Sequence, residues 1–326
     1  MAGVGWIGLN RLEALAAAQS ARIVCIADSR LGAAQSAAGS YSPSARIAGS
    51  FDELLRECLD GIVIATPSGL HAYQAEAALN RGVAVFCQKP LARTEAEAAH
   101  VIAVARAADR LLAVDFCYRT VAGVADLAAL VQSGALGDIY FADLVFHNAY
   151  GPDKPWYYDL DQSGGGCVMD LGFHLVDLLL WVLGYPHVVE VRSRLRARGK
   201  LLSRPARELE DHALADIQFA NGCTARLACS WHLAAGRDAV IQAAFYGTRA
   251  SATLYNVDGS FYDFVVEHCI GTSRQTLARG PDAWGGRAVC AWVQKLARSP
   301  RFDFEAERLQ TASSLIDAIY GRSCAF

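Results

Sequence analysis

Asp170, His174 and Asp177 are spaced i, i+4 and i+7 within the run from Cys167 to Leu183, which predicts that all three share one face of a strongly apolar helix. Two acids and an imidazole are costly to bury there without a task or a partner, and proton handling is such a task. The same side chains can also satisfy one another as a core network in which Asp170 fixes His174. With no second clear histidine they make a poor metal site, so no metal is expected. Three glycines, Gly164, Gly165 and Gly166, lead into this helix.

A second set lies at the start of the chain. Gly3-Val4-Gly5-Trp6-Ile7-Gly8 fits G-x-G-x-x-G, and Asp28 ends the following strand 20 residues after Gly8, the spacing of a dinucleotide site. The glycines allow a tight turn and close backbone approach to a pyrophosphate at a helix N-terminus. A carboxylate at the end of the second strand accepts hydrogen bonds from the adenosine ribose. Asp28 repels a 2′-phosphate and favours NAD, whereas Ser29 and Arg30 accommodate NADP if the carboxylate turns away. Thr66-Pro67-Ser68-Gly69-Leu70-His71 and Gln88-Lys89-Pro90 each follow a predicted strand, at the carboxyl edge where doubly wound sheets bind ligands. The plainer alternatives are a proline turn with His71 capping the next helix, and a surface lysine.

The elements that must position these groups fall into two sets. Arg22 to Ala27, Gly61 to Ala65, Val83 to Cys87 and Leu111 to Phe116 read as strands, alternating with helical stretches Arg11 to Gln19, Phe51 to Leu59, His71 to Arg81 and Thr94 to Ala108. That alternation predicts an α/β fold, a Rossmann-type doubly wound parallel sheet over residues 1–117. Residues 118–326 change pattern: a helix (Val121 to Ser133), a strand (Asp138 to His147), a long loop, the Cys167 to Leu183 helix, and then strands Val188 to Arg198, His212 to Phe219, Cys223 to His232, Ala239 to Tyr246, Ala250 to Tyr255 and Phe261 to His268. Asn221-Gly222 is a hairpin signal, and helices Asp282 to Ala297 and Phe304 to Tyr320 close the chain. This half is predicted to be an α+β domain with an open, largely antiparallel sheet. Ser203 to Glu210 reads as an exposed connection.

The strand that should precede the glycine turn is truncated, because only Met1 and Ala2 stand before Gly3. A missing central strand leaves ladder groups unpaired. We expect a start upstream of Met1; the alternative is a damaged protein.

The 326 residues weigh 35.0 kDa, with 53% hydrophobic and 19% charged residues, enough for two packed cores. A net charge of -3 gives no attraction to a polyanion, so nucleic acid is not an expected partner. Leu171 to Leu183, interrupted by His174 and Asp177, is too short to span a bilayer, and no membrane is expected. Ten cysteines stand singly, without a C-x-x-C pair, and predict reduced thiols in a cytoplasmic protein lacking a signal segment.

Together, the Gly3 fingerprint, Thr66-Pro67-x-x-x-His71, Lys89-Pro90, Tyr118-Arg119 and the Gly164 to Asp177 run resemble the Gfo/Idh/MocA oxidoreductases over nearly the whole chain. The resemblance implies an N-terminal domain binding NAD or NADP through Gly3, Gly5, Trp6, Ile7, Gly8, Asp28, Ser29, Arg30, Thr66, Pro67, His71, Gln88 and Lys89. It implies Lys89, Asp170 and His174 as the catalytic positions, with Lys89, Arg119, Trp156, Asp170 and His174 meeting the substrate. The implied reaction moves hydride between a secondary hydroxyl of a sugar, sugar derivative or cyclitol and the nicotinamide. Alternatives are a redox-neutral sugar-modifying enzyme that oxidises transiently, and a non-catalytic cofactor-binding paralogue. The family usually has Glu where this chain has Gln88. A homodimer or homotetramer is expected, and the aromatic and acidic loop Tyr150 to Asp161 suits either a sugar or polyol or a packed interface.

Overall fold

A computed structural model describes residues 1–203 and 208–322. The described residues form two compact units, Met1–Cys117 with Gly285–Gln310, and Tyr118–Trp284 with residues 311–322.

The first unit carries β1 (Cys25–Ala27), β2 (Arg46–Ala48), β3 (Gly61–Ile64), β4 (Ala84–Cys87) and β5 (Leu112–Val114), with helices α1 (Trp6–Ala18), α2 (Leu31–Tyr41), α3 (Phe51–Leu54), α4 (His71–Asn80) and α5 (Glu95–Ala107). All strand pairs are parallel, β1 with β2 and β3-β4-β5 in order. Ala2 joins the two groups by bridging to both Ala27 and Ile64. Ala2 N donates to Val63 O (2.8 Å), Ala65 N to Ala2 O (2.7 Å) and Ala27 N to Met1 O (2.9 Å). The ladder next to the glycine turn is therefore paired, and the truncated strand is a stub rather than a gap. Thr94 caps α5 by accepting from Glu97 N at 3.2 Å, the T-x-x-E pattern of a helix start, worth about 1 kcal/mol.

The helix Arg287–Arg298 belongs to this unit and not to the second, where the sequence pattern put it. Its apolar stripe decides the matter. Val289, Trp292 and Val293 are buried in one cluster with Ile26, Ala84 and Phe86, and the Trp292 ring lies 5.6 Å from that of Phe86.

The second unit is built on a nine-stranded sheet ordered β14-β13-β12-β11-β6-β10-β9-β7-β8. The strands are β6 (Ile139–Asn148), β7 (Val188–Ala197), β8 (Lys200–Leu201), β9 (His212–Phe219), β10 (Thr224–Ser230), β11 (Ala239–Gly247), β12 (Ser251–Asn256), β13 (Phe264–Ile270) and β14 (Ser273–Arg279). Only β6 with β10 is parallel among these pairs. Asn221-Gly222 turns β9 into β10 as expected, with only Gly222 in the left-handed region (φ 85°). Alternate residues of β6, namely Ala142, Leu144 and Phe146, are buried on the face covered by α6 (Val124–Gln132) and α8 (Phe173–Leu183). Of the segment Ser203 to Glu210, residues 204–207 lie outside the described residues; Ser203 and Glu208 are exposed, but Glu210 is buried. No disulfide joins the nine described cysteines, and Cys324 lies outside the described residues.

Candidate active site

In the first unit the glycine turn is shaped by close contacts. Gly3 adopts φ +86°, and a Cβ there would overlap Ala65 O; a Cβ on Gly8 would overlap Gly3 O. Gly5, in contrast, faces open space and heads α1 without a side-chain cap. This is the surface a pyrophosphate requires: amides at a helix start with no side chain in the way. Trp6 is exposed, Ile7 half-buried. Asp28 lies beneath the turn, with Oδ2 accepting from Val4 N (2.9 Å) and Oδ1 from Arg30 N (2.9 Å). Its side chain is only 9% exposed, whereas that of Arg30 is 67% exposed and Ser29 is exposed. Two backbone amides fix the carboxylate, so it does not turn away to make room for a 2′-phosphate, yet each oxygen keeps acceptor capacity for a ribose hydroxyl.

His71 does not cap α4. It is fully buried, with Nδ1 2.6 Å from Pro90 O and Nε2 2.8 Å from Thr66 O, so one ring ties the Thr66-Pro67 turn to the Lys89-Pro90 turn. Loss of solvent holds the ring below its ordinary pKa, against the pull of the two carbonyls. The Thr66 hydroxyl donates to Gln74 Oε1 at 2.6 Å. Lys89 is half-buried between Gln88 and Pro90, which are buried. Gln88 Nε2 donates to Asp115 Oδ2, and Arg11 Nε donates to the same oxygen at 2.5 Å. The sequence reading missed Arg11, Gln74 and Asp115. Arg11 carries a signal, since it occupies the apolar stripe of α1 with Gly8, Leu12 and Leu15.

In the second unit the Cys167 to Leu183 helix is not a single α-helix. Val168–Gly172 is a π-helical turn and α8 starts at Phe173. The extra residue of a π turn rotates what precedes it by about one position, so Asp170 and Asp177 do not share a face. Between Ser163 and Leu180 only Asp170 and His174 are not buried. Asp177 is buried and paired bidentately with Arg119, through Nε (2.8 Å) and Nη2, while Arg119 also donates to Tyr185 Oη (2.8 Å) and lies over the Trp181 ring. These contacts give Arg119 a structural task within the second unit. Burial pushes the Asp177 carboxyl up, and the guanidinium opposes this.

Glu210, which the sequence pattern placed at the end of an exposed connection and gave no role, anchors the head of this helix. It is fully buried and accepts from Gly166 N (3.1 Å), Val168 N (2.8 Å) and the Tyr320 hydroxyl (2.8 Å). Gly165 and Gly166 are required by this approach, because a Cβ on either would overlap the Tyr320 hydroxyl or Glu210 O. Burial pushes the Glu210 carboxyl up while its amide donors oppose the rise.

Around the two part-exposed residues stand aromatic rings. Trp231 Nε1 donates to Asp170 Oδ2 at 3.1 Å, and Tyr158 packs on Trp231 at 5.7 Å. Burial, then the Asp170 charge, raises the Tyr157 phenol. Tyr118 meets the His174 ring edge-on at 4.9 Å, over a small apolar cavity lined also by Phe146, Leu178, Ile241 and Leu254. Trp156 stacks on Tyr157 at 3.8 Å.

Comparison with known proteins agrees with this arrangement. A family profile described as an oxidoreductase family with an NAD-binding Rossmann fold matches residues 1–116, and the GFO/IDH/MocA C-terminal domain matches residues 124–253. D-glucoside 3-dehydrogenase of Escherichia coli (strain K12) is 30% identical over 243 residues, covering 72% of this chain and 69% of that protein. The chain belongs to the Gfo/Idh/MocA oxidoreductase family. A further member, D-apiose dehydrogenase of Paraburkholderia graminis, is 29% identical over 313 residues, 91% of this chain and 77% of that protein. KijD10, a 3-ketoreductase from Actinomadura kijaniata solved with NADP and TDP-benzene, shares the fold with a TM-score of 0.81 at 22% identity, over 98% of this chain and 95% of that one. Levoglucosan dehydrogenase solved with NADH and levoglucosan does so with a TM-score of 0.80 at 20% identity, over 98% and 94%. As a Gfo/Idh/MocA member this chain is an NAD(P)-dependent oxidoreductase, and the match over residues 1–116 spans the turn from Gly3 to Gly8 and Asp28.

Proposed function

We propose that the protein is a dehydrogenase of a sugar or sugar derivative, oxidising a secondary hydroxyl with NAD preferred over NADP. The observation that carries the reading is the partial exposure of Asp170 and His174 alone between Ser163 and Leu180, beside aromatic rings that suit the C–H faces of a sugar. When bound, the nicotinamide exchanges a hydride at its C4. His174 takes the hydroxyl proton, and Lys89 orients the hydroxyl and favours its ionised form. Asp170, steadied by Trp231, accepts hydrogen bonds from a neighbouring hydroxyl. The names of relatives, D-glucoside 3-dehydrogenase, D-apiose dehydrogenase and levoglucosan dehydrogenase, support a carbohydrate substrate. The fixed Asp28 carboxylate supports NAD.

The test is a panel of methyl glucosides, levoglucosan, pentoses and inositol, followed by NADH formation. Turnover of a carbohydrate that drops about a hundredfold or more in Lys89→Ala and His174→Ala, with NAD binding kept, is the expected result. Unchanged turnover in either variant rejects its role, and product without net NADH replaces the dehydrogenase with a redox-neutral enzyme. NAD binding with no turnover across the panel favours a non-catalytic paralogue. We further assign the chain to the cytoplasm, supported by nine described cysteines that stand as free thiols. We also assign it a homodimeric or homotetrameric state, supported by exposed Tyr140, Val189 and Ile270 on the sheet; light scattering giving a monomer mass rejects the latter.

A further inference from the structure

Lys89 has two buried tethers in its own unit. His71 Nδ1 holds the Pro90 carbonyl on one side, and Gln88 Nε2 holds Asp115 on the other, with Gln88 N also donating to Ile64 O at 2.8 Å. The Asp115 end is unusual in its charge. Asp115 is 0% exposed and Arg11 2% exposed, and both Arg11 Nε and Gln88 Nε2 converge on Oδ2, while Oδ1 is buried with no hydrogen-bond partner among the described residues. One cation, one anion and one neutral amide therefore share a buried space. A second carboxylate at position 88 would meet Asp115 with a single guanidinium to balance both, and like charges in such a site strongly disfavour double ionisation. The amide at 88 is thus the partner that Asp115 demands.

We propose that Asp115 is a positioning residue for Lys89, acting through the Gln88 side chain, and that positions 88 and 115 form one charge-matched pair. The inference rests on the role given to Lys89 above, and its test does not use turnover. Exchanging the two groups, with Glu at 88 and Asn at 115, keeps one carboxylate, one amide and Arg11 in the same space. The charged and titratable groups near Lys89 in this unit include His71 from α4, Arg11 from α1, and Asp115 and Cys117 after β5.

Asp115→Asn, Gln88→Glu and the double variant are compared by thermal unfolding and by competitive acylation of amines, read by mass spectrometry against Lys154, Lys200 and Lys295, the other lysines of the chain. Each single variant is expected to lower the unfolding midpoint and to change the relative labelling of Lys89 about threefold or more, rising in Asp115→Asn and falling in Gln88→Glu. The double variant is expected to return both measures to the wild-type range. Losses that add in the double variant overturn the pair. Midpoints that recover while Lys89 labelling never moves leave a purely structural pair and overturn the positioning role. Gln88→Leu, which deletes the amide and keeps the Arg11–Asp115 pair, carries the labelling test should Asp115→Asn fail to fold. Wild-type turnover in Lys89→Ala would reject the catalytic assignment of Lys89 separately, without altering the outcome for the pair.

Discussion

Trp231 donates its indole N–H to Asp170 Oδ2 across 3.1 Å, joining the loop after β10 to the π turn ahead of α8. A hydrogen bond to a charged acceptor contributes about 1.5–3 kcal/mol. Trp231→Phe keeps the ring and removes the donor, so kcat/KM for the carbohydrate substrate is expected to fall about tenfold to a hundredfold while NAD affinity stays within a factor of two. Steady-state kinetics with a cofactor titration checks this, and a parallel loss of NAD binding would contradict it.

Glu210 is the anion at the head of the helix that presents His174. Glu210→Ala leaves the Gly166 and Val168 amides and the Tyr320 hydroxyl without their acceptor, and urea unfolding is expected to register a loss of about 3 kcal/mol or more. Glu210→Gln keeps the shape and is expected to lose less. Because burial raises the folded carboxyl above its unfolded value, its contribution is largest below the ordinary carboxylate range and declines as pH rises through the raised value. The Gln variant should lack that decline.

His147 gives the opposite sign. Burial first, then His212 and Arg226, lower its pKa from 6.5 to about 4. The unfolded ring gains its proton near 6.5 and the folded ring only near 4, so its share of stability is complete above 6.5 and is lost as pH falls through about 4. His147→Gln should flatten this part of the stability profile, measured by urea midpoints across that window.

Asp28 is predicted to control cofactor choice. Asp28→Ser removes the fixed carboxylate from beneath Val4 N, and calorimetry should show NAD binding weakened about tenfold and the preference over NADP reduced. An unchanged ratio of the two affinities would refute the role.

Much of this was legible in the residues, and the exceptions have physical causes. His212–Phe219 alternates buried with partly or fully exposed positions along its whole length, and its bounds are those the pattern predicts. Leu31–Tyr41 escaped notice because it buries only Ala34, Ala37 and Ala38, which leaves no large apolar stripe. Ser273–Arg279 is an edge strand with no buried residue, so no alternation marks it. At the candidate site, the i, i+4, i+7 spacing pointed to Asp170 and His174, the two part-exposed residues between Ser163 and Leu180, but it assumed 3.6 residues per turn through a π turn and so put Asp177 on their face. Glu210 could not be found, since its acid lies in a polar run and only tertiary contact with Gly166 gives it a task.

The return of residues 285–310 to the first unit sets a timetable for synthesis. Phe86 waits for Trp292, and the ribosome makes the whole nine-stranded sheet before supplying it. The amino-terminal βα repeats leave the tunnel early with part of their apolar surface uncovered until the Arg287–Arg298 helix emerges. The core of the half made first closes only once Trp292 has been made.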